Sequence, residues 1–346
     1  METEIAVGKV LTPAPTAPLA SAVSAPAGAL ELLPIGLFGS VMGLTGLSVA
    51  WGLAHRQYGA PESISKWVGA AAVLAFLLVA GGYAVKIITA PQRVRAEFEH
   101  PIAGNMFGTF LISLLLLPIV LAPLDLLFGR IVWAIGAVLM TAFGWMTVDR
   151  WMNHRQQAAH ATPAWIVPVV GMIDVPLAMP ALGFDASLHG VMVLGLAIGL
   201  FFTLPLFTMI FSRLVFEEPL PKPLQASLLI LLAPFAVGAS AYIATTGQVD
   251  LFAESLYVLT LFMLVVLLGR LRYLADCCPF RVAWWAVSFP LAAAAVTALH
   301  FAQAAPNRTT DAIAMLLLGL ATLVIFLLLV RTLSGIARGE LRTLSS

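Results

Sequence analysis

From Pro34 onward the chain alternates long apolar runs with short polar interruptions. The runs fall at 34–54, 64–88, 104–123, 127–149, 163–183, 188–213, 224–245, 251–270, 281–302 and 311–332. A helix needs about 20 apolar residues to cross the ~30 Å hydrocarbon core of a bilayer, and each run is close to that length. The pattern therefore predicts an all-α integral membrane protein with ten transmembrane helices. Only a few residues around Pro123 and Asp125 separate the third and fourth runs, so nine spans with one long broken helix is the competing count. Three regions result: an Ala/Pro-rich disordered tail at 1–32, a ten-helix domain at 33–335 and a short tail at 336–346. The first tail lacks the basic segment and compact apolar stretch of a secretory signal, which leaves the first span to act as the targeting signal.

Basic residues accumulate on cytoplasmic flanks and set orientation. With the amino terminus inside, only Arg56, Lys66, Arg130 and Arg308 of the 18 basic residues fall outside, and the other fourteen fall inside. A nine-span count scrambles that bias. The expected product is a multi-pass protein of the plasma (inner) membrane with both termini cytoplasmic.

Composition agrees: 61% of residues are apolar and 10% charged, with mean hydropathy +0.99. Connections this short leave no room for a large cytosolic enzyme domain, and a net charge of +1 gives no basic face for nucleic acid. Cys277 and Cys278 are adjacent and the six histidines are dispersed, so neither a disulfide framework nor a metal site is expected, and no cofactor is implied.

The odd-numbered runs begin near 34, 104, 163, 224 and 281, a repeat of 57 to 70 residues that suggests five helical hairpins. Pro118, Pro168, Pro176, Pro234 and Pro290 all lie inside odd runs, and the first run carries Gly36, Gly39, Gly43 and Gly46 instead. A carbonyl freed by proline is tolerated in a bilayer only where it faces protein or a cavity. Five kinked helices around a central cavity, with five straighter ones outside, is one reading. Ordinary close packing of membrane helices is the other.

The cavity candidates are small or apolar: Gly39, Gly43 and Gly46, Ser113, Pro234, Gly238 and Ala241. No ring of charged residues recurs at matching depth, so selectivity by fixed charge is not expected and ions that shed water easily should be favoured. Asp174, halfway along the fifth run in Met172-Ile-Asp-Val-Pro176, is the one formally charged residue deep in a span. It reads either as a candidate proton site or as the N-cap of a half-helix after a break, and the cap is preferred. Phe289 stands immediately before Pro290 and the small run Ala292 to Ala295. By position alone it reads as core packing or as a ring projecting into a cavity.

The stretch Leu33-Pro-Ile-Gly-Leu-Phe-Gly39, with Gly43-Leu44 and Leu47 to Trp51, resembles the first helix of the tellurite-resistance/dicarboxylate transporter family, the TehA-like proteins. Val94-Arg-Ala-Glu97 before Pro101, Leu232 to Tyr242, Gly247-Gln-Val-Asp250 and Trp285-Ala-Val-Ser-Phe289 resemble later family segments in order. The resemblance covers residues 33 to about 335 and extends to plant guard-cell slow anion channels. It implies five helical hairpins with quasi-fivefold symmetry, a central pore lined by the odd helices, and a homotrimer with one pore per subunit. It also implies that Phe289 occludes the pore, with Pro290 as its hinge where a glycine is more usual, and Gly39, Gly43, Pro118, Pro168, Pro234 and Gly238 along the lining. The expected function is passive conduction of chloride or nitrate through a phenylalanine gate. The alternatives are a proton-coupled malate carrier, with Asp174 as the proton site, or a sulfite or tellurite exporter.

Overall fold

The computed structural model describes residues 29–184, 186–271 and 280–340; Cys277 and Cys278 lie outside them. Ten helices among the described residues are long and apolar enough to cross a membrane. They are spans 1 (Ile35–Tyr58), 2 (Glu62–Thr89), 3 (Ala103–Leu121), 4 (Leu126–Asn153), 5 (Pro163–Leu182), 6 (His189–Phe216), 7 (Lys222–Thr246), 8 (Leu251–Gly269), 9 (Val282–Ala304) and 10 (Arg308–Ala337). The nine-span alternative fails at Asp125, whose extended backbone interrupts the chain and whose carboxylate accepts from Phe128 N–H to cap span 4. Spans 1 and 7 end on Gly59 and Gly247, both at positive φ, a turn that glycine makes without steric cost. Asn307 starts span 10 with a capping box shared with Thr310. One boundary shifts: Ala29–Leu32, assigned above to the disordered tail, forms a 3-10 turn.

The odd and even spans differ in kind. Between 61% and 83% of the apolar stretch of each odd span is buried, against 22% to 33% for the even spans. Span 1 packs on span 3, span 3 on span 5, span 5 on span 7, span 7 on span 9, and span 9 back on span 1, so the odd spans close a ring. The even spans lie outside, each against its own odd partner, with large apolar side chains such as Leu78, Val138, Phe201, Val265 and Leu316 turned outward. Such a surface suits lipid and not water.

Every odd span opens in 3-10 geometry, at Ile35–Phe38, Ala103–Met106, Pro163–Ile166, Lys222–Leu232 and Val282–Val287, whereas the even spans are α-helical. Of the prolines expected as mid-helix kinks, Pro168 and Pro234 mark the change from 3-10 to α geometry, Pro118 follows a break between two α-segments, and Pro176 lies inside the 3-10 segment Gly171–Ala178. Pro118, Pro168 and Pro234 sit in the first turn of the α-segment that follows. Pro290 is the third residue of the α-helix Ser288–Ala304. First-turn positions have no intrahelical acceptor for their N–H, so proline costs little there.

One polar cluster ties the amino-terminal end of the ring together. Lys86, buried, donates to Leu33 O at 2.7 Å and to Glu97 Oε2 at 2.6 Å. Tyr83 OH donates to the same carboxylate, and Glu97 Oε1 accepts from Ile35 N–H. The short helix Pro91–Glu99 is thereby pinned to the start of span 1.

Candidate functional site

Two cavities lie inside the ring. The one toward the amino-terminal ends of the odd spans has a volume of about 60 Å³ and is lined by Gly36, Gly39 and Met42, by Met106, Thr109 and Ile112, and by residues of spans 5, 7 and 9. The one toward their carboxyl-terminal ends is larger, about 820 Å³, and is lined by Gly46, Val49, Leu53 and Arg56 of span 1 and by segments of the other four odd spans. Phe289 and Val237 line both cavities. The Phe289 ring lies over Gly46, where an added Cβ would stand 3.7 Å from Cδ2. The Phe289 ring is buried and borders both spaces.

The backbone carrying that ring is fastened on both sides. Ser288 Oγ bonds to Trp285 O at 2.7 Å and Gly39 O at 3.1 Å, joining span 9 to span 1 just before Phe289. Two turns further on, Thr297 donates to Ala236 O at 2.6 Å and shares a hydrogen bond with Ser240, joining span 9 to span 7.

The residues expected to line the passage divide. Phe289, Pro290, Gly39, Pro234 and Asp174 come together around the small cavity. Gly43 lines neither cavity: a Cβ there would overlap the Ser288 side chain, so its role is the close approach of spans 1 and 9. Gly238 faces Leu200 of span 6, 3.2 Å from where its Cβ would stand. Pro168 turns its carbonyl toward Gly144 of span 4, and Pro118 is buried outside both linings. Ser113 bonds back to Thr109 O and to Phe38 O, a packing role.

The capping role preferred for Asp174 is also overturned. The residue lies inside the 3-10 segment Gly171–Ala178, no helix starts on it, and its buried Oδ1 has no hydrogen-bond partner. It is the one acidic side chain on either lining. Two cations went unnoticed as lining residues, Arg56 and His300, both on the large cavity. The signal for His300 was present, because Phe289, Ala293, Val296 and His300 repeat at the 3- and 4-residue spacing of one helix face.

The ring also orients five helix dipoles. The amino-terminal ends, partially positive, surround the small cavity's mouth, and the partially negative carboxyl ends surround the large one.

A closed ring of five inner spans, sheathed by outer spans with apolar outward faces and holding a divided axial cavity, defines a multi-pass membrane protein. Residues 33–333 match the profile of the SLAC1 family, described as voltage-dependent anion channel, and the chain belongs to that family. It is similar to the S-type anion channel SLAH3 of Arabidopsis thaliana, 28% identical over 310 residues that cover 87% of this chain and 48% of the relative. The guard cell S-type anion channel SLAC1 of the same plant is 26% identical, over 87% of this chain and 55% of its own. The tellurite resistance protein TehA homolog of Haemophilus influenzae is 24% identical, over 89% of this chain and 92% of its own. The chain thus spans about half the length of these plant relatives.

Proposed function

We propose that this protein is a passive channel for small monovalent anions, chloride and nitrate, closed by the Phe289 side chain. One observation carries the reading: Phe289 lines both cavities, which supports its ring as the barrier between them. The relatives named as anion channels support the ion class. So do the dipoles at the small cavity's mouth, which favour anions. The lining holds no ring of carboxylates and little polar surface, so partial dehydration should rank the ions: nitrate above chloride, and both far above sulfate. The distribution of basic residues supports an orientation in the plasma (inner) membrane with both termini in the cytoplasm and the large cavity outside. The test is anion flux in proteoliposomes with and without a pH gradient. Flux that follows the electrochemical gradient and ignores pH difference is expected, and concentrative, pH-driven uptake of malate or a preference for sulfate overturns it.

A second reading rests on Asp174, whose partnerless carboxyl in the small cavity suits a proton-coupled carrier. Asp174→Asn distinguishes the two. The channel reading expects flux retained or raised once the acidic group is gone; loss of a pH-driven component in a well-folded protein supports the carrier.

A further inference from the structure

The span 9 stripe that carries Phe289 runs on through Ala293 and Val296 to His300, about 16 Å further along the helix at 1.5 Å per residue. The span 1 stripe from Gly46 through Val49 and Leu53 ends at Arg56, about 15 Å on by the same measure. Gly46 lies against the Phe289 ring and spans 1 and 9 pack together, so the Arg56 and His300 side chains reach a similar height of the large cavity.

The Arg56 guanidinium folds back along its own helix: Nη1 stands 3.9 Å from the place a Cβ would take at Gly52. The bare glycine leaves room for it on the side that faces Ser65 of span 2, and Arg56 also borders the large cavity. No ion pair holds it among the described residues. Several of the groups that span 9's neighbours bring to this end are already engaged, although the buried Tyr257 hydroxyl has no hydrogen-bond partner. On span 1, His55 Nδ1 bonds Ala60 O and Tyr58 donates to Asp311 of span 10. Glu62 at the start of span 2 pairs with Lys66. On the span 7 side, Tyr242 donates to Asp250, which that bond and the Ala253 N–H hold below the usual aspartate range. On span 8, Tyr257 stacks on Phe301. Glu62, Asp250 and Asp311 thus have partners, and the guanidinium has no ion pair among the described residues.

The helix dipoles sharpen the need for charge. All five odd spans present their partially negative ends at this mouth, which repels the ion the channel is to pass. A cation on the cavity wall, between low-dielectric walls, offsets them.

We propose that Arg56 and His300 form a capture site for small monovalent anions in the large cavity, ahead of Phe289, strengthened when His300 takes up a proton. Anion occupancy then rises as the pH on that side falls through the His300 titration. The proposal rests on the anion-channel reading and specifies its regulation.

The first measurement is on the full chain in nanodiscs and needs no conduction. The His300 ring is followed by NMR with labelled histidine, its signal identified by its loss in His300→Gln, and titrated in sodium nitrate and in sodium gluconate of equal ionic strength. An anion held tenfold more tightly by the protonated ring raises the apparent pKa by one unit at saturation. An upward shift specific to nitrate, abolished in Arg56→Gln, is the expected result. Equal titrations in the two salts, or a shift that survives Arg56→Gln, overturn the proposal. The second measurement uses Phe289→Ala as the open background. Flux from the large-cavity side should fall severalfold in Arg56→Gln at low salt and recover at high salt, where screening removes long-range attraction. Its rise on acidification should vanish in His300→Gln, and flux indifferent to both changes overturns the proposal. If Phe289→Ala itself conducts nothing, the gate reading fails while the nitrate titration still decides the capture site.

Discussion

Truncating Phe289 to alanine tests the barrier and the packing at once. In a closed core, Phe→Ala costs about 3–5 kcal/mol, part of it a cavity term of about 24 cal/mol per Å³ of void left behind. Here the ring borders open space of about 820 Å³ on one side and about 60 Å³ on the other, so the space it vacates joins cavities that already exist. The cavity term falls away and the loss should shrink to roughly 1–2 kcal/mol, the transfer part alone. Ser288 and Thr297 keep their bonds to spans 1 and 7, so the helix stays in place and the fold survives. What changes is continuity: with no ring, the two cavities merge into one passage lined by Gly46, Val237 and Ala293.

The expected result is a large rise in basal chloride and nitrate flux with a small drop in melting temperature in detergent. Phe289→Leu, which keeps half the bulk, should fall between wild type and alanine in flux. Unchanged flux together with the full core cost would refute the reasoning, because it would make the ring ordinary packing. A rise in flux with an equally large loss of stability would refute the cavity argument alone.

Gly43→Ala should destabilise by about 1–3 kcal/mol, the usual cost of overpacking, since its methyl meets Ser288. Combined with Ser288→Gly the cost should be less than the sum of the two single changes, as a double-mutant cycle on thermal unfolding will read. Lys86→Met should cost roughly 1–3 kcal/mol by removing the partner of the half-buried Glu97 carboxylate, and Glu97→Gln on top should recover part of it. Cysteines placed at 60 and 248 should label from outside the cell and those at 96 and 156 from inside; the reverse pattern would invert the topology.

Span number was legible because an apolar run of bilayer length has few other uses, and the capping carboxylate at Asp125 was visible as the break between runs three and four. Ends were less so: span 10 begins at Arg308 and runs to Ala337, beyond the apolar run on both sides, because Asn307 caps it in polar sequence. The 3-10 openings were not legible, since composition does not distinguish hydrogen bonding to the third residue from bonding to the fourth. Small residues misled for a related reason. A ring helix has one face on the cavity and others on its neighbours, and glycine suits both, so Gly39 lines the cavity while Gly238 lets span 6 approach. Asp174 misled differently: an aspartate followed by Val175 and Pro176 has the signature of a helix start, yet the chain continues in 3-10 turns through it.

The 3-10 openings change what residue number means in this protein. A 3-10 turn rises about 2.0 Å per residue where an α-helix rises about 1.5 Å. Span 7, with 11 of its residues in the drawn-out form and 14 in the α-form, is therefore about 43 Å long, level with the 28-residue span 6 beside it at about 42 Å. Span 7 thus matches its neighbour with a shorter stretch of chain. Insertions and deletions follow from the same geometry. Losing one residue from Lys222–Leu232 lowers the wall by about 2.0 Å and turns everything beyond it by about 120°, against about 1.5 Å and 100° in the α-half. The amino-terminal halves of the inner helices are thus where a change in length most disturbs which side chains meet the axis, although their sequence gives no outward sign of it.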